Sequence, residues 1–103
     1  MIRYDKLVRD HIPDLIREQG ESPIVRVLQE EEYRHLLEDK LDEEVAEYHG
    51  DKSPEELADI LEVVFALAKA SGVSYAQLME IYQHKHDARG GFDKRIYLIG
   101  KEG

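Results

Sequence analysis

Leu37, Leu41 and Tyr48 fall on one face of a helix, and Gly50 follows them as a stop signal. This pattern predicts a long helix from about Glu30 to about His49. A second helix opens with Ser53 as cap, Pro54 in the first turn and Glu56 completing a capping box. It is predicted to run to about Ala70 and to stop at Ser71–Gly72. A third opens the same way, with Ser74 as cap and Gln77 three residues on, and runs to about Ala88 before Gly90. Upstream, His11–Gly20 reads as a short helix with Asp10 as N-cap and Gly20 as stop. Ile24–Leu28 and Arg95–Ile99 read as short strands that would pair into a small appendage. The expected fold is all-α, a single domain over residues 1–103. Its centre is a helical hairpin, with short extended segments toward both termini.

The second helix changes this picture. From Ile60 to Ala70, "ILEVVFALAKA", it is apolar around most of its circumference, and 103 residues leave little to cover it. Packing against other copies would complete a four-helix-type bundle, so a homodimer or homotetramer is expected. An apolar content of 42% argues for a folded chain. The absence of cysteine excludes disulfide and thiolate chemistry and fits a cytoplasmic protein. The opening residues do not resemble a signal peptide, and Val63–Ala70 is too short to span a bilayer, so no membrane association is expected.

Charge narrows the function classes. The net charge is −9, and it is local: Glu38–Glu62 holds 11 acids and two bases, while the remainder balances. An acidic face argues against a nucleic acid polymer as partner. Several of these acids lie where apolar residues belong. Glu44 shares the stripe of Leu37 and Tyr48, Glu47 sits at its edge near Tyr33, Leu36 and Lys40, Glu56 falls between Val63 and Leu67, and Asp59 lies at that arc's margin. In a hairpin, Glu44 and Asp59 are equally far from the turn, and so are Glu47 and Glu56. Acid-rich helices are commonly just solvated. The alternative is that four carboxylates converge on a hard cation such as Mg²⁺ or Mn²⁺, because unpaired buried acids cost several kcal/mol.

"EEVAE" (Glu43–Glu47) followed by "ELAD" (Glu56–Asp59) resembles the EExxE…ExxD signature of the all-α nucleoside triphosphate pyrophosphohydrolases. That superfamily includes MazG, dimeric dUTPases and phosphoribosyl-ATP pyrophosphohydrolase. "YDKLVRDHIPDLI", "ELADILEVVFALA" and "RGGFDKRIYL" extend the likeness to a compact MazG-like branch over most of the chain. Only eight residues, Tyr48–Glu55, separate the two acidic motifs, which is shorter than in MazG itself. The resemblance implies a Mg²⁺-dependent enzyme that cleaves between the α- and β-phosphates, giving a nucleoside monophosphate and pyrophosphate, as in nucleotide-pool house-cleaning. Glu44, Glu47, Glu56 and Asp59 would be the metal ligands, with Mn²⁺ an alternative ion. Glu43, Glu44 and Glu47 would be catalytic, Glu43 by orienting water, and Glu62 would hold an outer-shell water or simply face solvent. A phosphoribosyl-ATP pyrophosphohydrolase, and a non-catalytic module binding metal or nucleotide or serving dimerisation, are the competing readings.

Phosphates also call for protein cations. Tyr75, Leu78, Tyr82, Lys85 and Arg89 continue one stripe of the third helix, so Lys85 and Arg89 are expected to point inward as substrate-binding groups. Lys6 and Arg9 would reach phosphate or, failing that, pair with the acidic face. Gly90 and Gly91 offer an anion-binding nest or, more simply, a helix cap. His84 and His86 are two apart, do not share a face, and read as surface residues.

Overall fold

A computed structural model describes all 103 residues. It contains four helices and no strand: α1 (Ile12–Glu18), α2 (Glu30–Asp51), α3 (Pro54–Ala70) and α4 (Tyr75–Arg89). α2 and α3 form the expected hairpin, and its seam is the core. Leu37 of α2 and Val63 of α3 are buried there, together with Glu44. At the open end of the hairpin Arg34 donates through Nε (3.1 Å) and Nη2 (2.7 Å) to the carbonyl oxygen of Ala70. That oxygen belongs to the last turn of α3 and has no partner within its own helix. The clamp ties the start of α2 to the end of α3 and fixes the register in which Glu44 meets Asp59.

The helix ends differ in detail from the sequence reading. α2 does not stop at Gly50. It continues to Asp51, and Lys52 takes the left-handed cap (φ 59°), donating its N–H to the Tyr48 carbonyl at 2.7 Å. Asp51 Oδ1 then accepts the Ser53 N–H at 3.0 Å, an Asx-type bond across the turn. Ser53 is the N-cap of α3, and Pro54 lies in its first turn, but the expected capping box is absent: the Ser53 side chain makes no cap hydrogen bond. Glu56 is drawn instead into the acidic cluster described below. Asp10 is not the cap of α1 either. His11 occupies that position, in helical conformation and without a side-chain bond. Ser74 does form the full box with Gln77, and α4 ends at Arg89, one residue beyond expectation. Gly90 follows at φ 79° and ψ −175°, a region open in practice only to glycine, so its role is the cap.

The two predicted strands are not formed. Ile24–Leu28 and Arg95–Ile99 run as irregular segments without ladder bonds, and most of their apolar side chains face solvent. A strand needs a second edge for its N–H and C=O groups, and this chain brings none to either segment.

The shape is correspondingly open. The radius of gyration is 18.3 Å, against about 13 Å for a compact chain of this length. The accessible surface is 9463 Å², against roughly 6,000 Å² for a compact monomer of this mass. The longest dimension, 63 Å, is about twice the ~33 Å length of α2, so chain segments project well beyond the hairpin.

Candidate metal centre

The hairpin register draws the acids together in two groups of three that share Glu44, not in one set of four. Glu44 of α2 and Glu56 and Asp59 of α3 bring carboxylate oxygens within 4.8 Å of one another. Glu43, Glu44 and Glu47 form a second such group on α2, so Glu44 is shared between them. Glu44 is 7% exposed, beside Leu37 and Val63 in the seam, whereas Glu47 stands at the exposed edge. Two oxygens, Glu44 Oε2 and Glu56 Oε2, are shut away from solvent with no hydrogen-bond partner. Such groups are rare in folded proteins because each forfeits its hydration without compensation.

The electrostatics follow from this crowding. Burial pushes the Glu44 carboxyl above its usual range, and the neighbouring charge of Glu47 adds to the effect; Lys40 opposes it. The Glu56 carboxyl is pushed up to about 7, first by loss of water around it and then by Asp51, Glu47 and Asp59. Each acid raises the cost of ionising the next. A divalent cation would reverse that cost. Oxygens around Mg²⁺ at ~2.1 Å lie about 3–4 Å apart, so the observed group needs only a small contraction to ligate it. The two orphaned oxygens and the hard-oxygen donor set therefore fit such an ion.

Two cations of the chain itself enter this cluster. Arg9 Nη2 reaches Asp59 Oδ1 at 2.7 Å. Lys40, partly buried, places Nζ 3.4 Å from Glu44 Oε1 and 3.5 Å from Glu43 Oε1. The segment Leu7–Asp10 thereby lies across the seam and closes a cleft of about 180 Å³, walled by Tyr33, Leu37, Lys40, Glu44, Asp59, Glu62 and Val63 among others. The pairing of Arg9 with the acidic face is the second of its two expected roles. Lys40 was missed as a site residue. Its signal was the spacing to Glu43 and Glu44, three and four residues on, which puts all three on one helix face.

The other expected residues are placed elsewhere. Glu62 lines the same cleft, though it is exposed overall. Lys6 is exposed and makes no ion pair within 4.0 Å. Lys85 and Arg89 do not point inward: α4 has no buried residue, and Lys85 lines a separate open groove with Gln77, Ile81 and His84. The stripe holds only in its first half, where Tyr75 packs edge-on against Phe65 with centroids 5.0 Å apart and Leu78 is half-buried. From Glu80 onward every residue of α4 is exposed. His84 and His86 are at the surface, His86 stacked on Tyr82 at 5.9 Å, so neither joins a metal site.

No family model and no solved structure matches this chain. A stretch of 42 residues is 57% identical to an uncharacterized protein of Mycolicibacterium smegmatis (strain ATCC 700084 / mc(2)155), covering 41% of this chain and 43% of that protein. The chain thus matches less than half the length of this relative, which carries no functional name.

Proposed function

We propose that this chain is a divalent-cation-dependent nucleoside triphosphate pyrophosphohydrolase, acting as a homo-oligomer and cleaving between the α- and β-phosphates. The observation that carries the reading is the convergence of Glu44, Glu56 and Asp59, with Glu47 at their edge, around two buried oxygens that have no partner. Mg²⁺ is the proposed ion, with Mn²⁺ an alternative. When bound, it would supply charge neutralisation for the triphosphate and an acidified water.

The chain's own residues have separable parts in this reading. Glu44, Glu47, Glu56 and Asp59 hold the ion. Glu43, at the outer side of the group, orients water and accepts its proton. Lys40 fixes Glu43 and Glu44 on the α2 side. Arg9 lies within reach of any phosphate that arrives at Asp59. The cleft of about 180 Å³ is smaller than the roughly 300–1,000 Å³ of small-molecule sites, so the nucleotide's base and sugar need walls from elsewhere. A second copy of the chain is the proposed source.

The competing reading is a non-catalytic, cation-binding assembly module. It is favoured by the distance of Lys85 and Arg89 from the acidic cleft within one chain. Pyrophosphate release from a panel of nucleotides, with and without Mg²⁺, separates the two. Hydrolysis that needs the cation and falls ~100-fold or more in Asp59→Asn is expected. The paired control is the melting temperature of the cation-free variant. The Arg9–Asp59 pair is exposed enough to contribute at most about 1 kcal/mol. A large loss of stability with wild-type turnover would remove Asp59 from the site. Cation binding without hydrolysis of any nucleotide would select the module.

A further inference from the structure

We infer that residues 92–99, "FDKRIYLI", are an exchange arm that docks on a second copy of this chain, against the outer apolar stripe of its α3. The inference shares the assembly part of the proposed function and none of its chemistry.

The arm is apolar and has no partner in its own chain. Phe92 is 97% exposed and Ile99 95%, with Ile96, Tyr97 and Leu98 nearly as open. A run of this kind left in water is an aggregation hazard unless something covers it. The arm also starts from a defined bend. The Arg95 N–H donates to the Phe92 carbonyl at 3.0 Å, and Arg95 sits at φ 54°, left-handed for a residue with a side chain. Such a conformation persists where surroundings hold it, and here the chain supplies only that one local turn bond.

The receptor surface is equally specific. Leu57, Leu61, Val64 and Ala68 recur at i, i+4, i+7 and i+11 on α3, beside the face turned toward α2. Leu57 and Leu61 remain about half exposed. Among the helices only α2 and, at its far end, α4 pack on α3, and the segment Leu7–Asp10 lies on the side of Asp59, Val63 and Ala66, so Leu57 and Leu61 keep their exposure.

Area and charge identify the occupant. The accessible surface of the whole chain exceeds that of a compact monomer by about 3,500 Å², more than the roughly 800 Å² that each partner gives to a stable interface. Charge complementarity points to the same chain. The arm carries Lys94 and Arg95 against one acid, Asp93, while the hairpin segment Glu38–Glu62 carries 11 acids and two bases. An arm laid along α3 of another copy sets its bases beside that acidic segment, a pairing its own hairpin does not receive.

The experiment uses the full chain. Sedimentation is expected to give a mass of at least two chains for the wild type. Ile96→Asp with Ile99→Asp places one charge on each face of the extended arm, and is expected to drop the mass to the 12.0 kDa of one chain. Because the chain has no cysteine, a second readout is clean. Leu61→Cys protein mixed with Ile96→Cys protein is expected to yield a product of twice the chain mass with a short thiol-specific bifunctional reagent. A wild type that sediments as one chain overturns the inference, and so does a folded arm variant of wild-type mass. Should the arm variant lose its helical signal, the cross-link decides, and its absence overturns the inference. None of these readouts depends on hydrolysis, so an inactive protein can still bear out the arm.

Discussion

The α2–α3 hairpin and the terminal thirds of this chain are built on opposite terms. In the hairpin, Leu37 and Val63 close a seam, Arg34 clamps one end, and acids occupy positions that a purely structural helix pair would give to leucine. The termini carry well-formed local structure, such as the Ser74–Gln77 box, yet bury nothing in α1 or α4. The difference teaches where each part gets its stability. The hairpin contains its own core and accepts the cost of buried acids within it. The ends hold local conformation and leave most of their apolar side chains exposed, with only partial cover at Ile12, Ile16, Leu78 and Met79.

The largest effect that can break this contrast is a deletion in the seam. Leu37 is 3% exposed, and Leu37→Ala should cost about 2–5 kcal/mol, the range for a buried leucine whose cavity does not collapse. Val27 is 94% exposed, and Val27→Ala should stay within about 0.5 kcal/mol. Urea unfolding at one fixed protein concentration measures both, since stability coupled to assembly depends on concentration. Equal costs would erase the distinction between the two regions.

Next comes the acidity of the seam itself. The Glu56 carboxyl stands near 7 when folded, raised by lost hydration and then by its acidic neighbours, whereas an unfolded glutamate titrates near 4.5. The folded state therefore binds the proton more tightly. Its contribution to stability is complete below about 4.5 and is lost as pH rises through about 7. Glu44 is raised as well and acts in the same direction. Protein kept free of divalent cations should melt at lower temperature at pH 8 than at pH 6, and Glu56→Gln should flatten that slope. A melting temperature that rises across this interval would show that the seam tolerates its charges without help.

A smaller effect separates the two roles of Arg9. In this structure it neutralises Asp59, so an entering cation has to displace it. Arg9→Gln should tighten Mn²⁺ binding by at most about fivefold, matching the ~1 kcal/mol ceiling of an exposed pair. Turnover should nevertheless fall, because the same guanidinium is the one within reach of phosphate. Calorimetry alongside kinetics reads both. Weaker Mn²⁺ binding in the variant would make Arg9 a support of the acid cluster instead of its competitor.

The hairpin was legible from sequence because its signals are local. Gly, Ser, Pro and apolar spacing set the helices, and the i, i+3 acids set the faces of Glu44, Glu47, Glu56 and Asp59. What failed depended on partners distant in sequence. Lys85 and Arg89 sit on a helical stripe, but a stripe points inward only if another element lies beneath it, and from Glu80 onward α4 is exposed. Ile24–Leu28 and Arg95–Ile99 have strand composition, but composition does not supply the second edge. The Arg9–Asp59 contact spans 50 residues, and charge complementarity alone could not choose it over phosphate. Glu56 marks the conflict most sharply: the same residue completes a capping box by sequence and an acid cluster by tertiary packing, and packing won.

That conflict supports the smallest and most local prediction. Ser53 and Ser74 hold equivalent N-cap positions with nearly the same extended backbone, and each is followed three residues on by a side chain able to close the box. At Ser74 the box is complete: its Oγ accepts the Gln77 N–H at 3.1 Å, and Gln77 Oε1 accepts the Ser74 N–H at 2.8 Å. At Ser53 the side chain makes no cap bond. The Ser53 N–H is taken by Asp51, and Glu56 faces the acids of the seam. Ser74→Ala should therefore cost about 1 kcal/mol, the usual value of a lost cap, while Ser53→Ala should cost less than about 0.5 kcal/mol. The comparison tests function as well as stability. If Glu56 turns to the seam because a cation is meant to sit there, adding Mg²⁺ should leave the Ser53→Ala cost small. If the seam is only a solvated surface, Glu56 is free to return to Ser53, and the two serines should cost the same. Thermal melts of both variants, with and without Mg²⁺, distinguish these outcomes, and equal losses in all conditions would place Glu56 in the cap and outside the cluster.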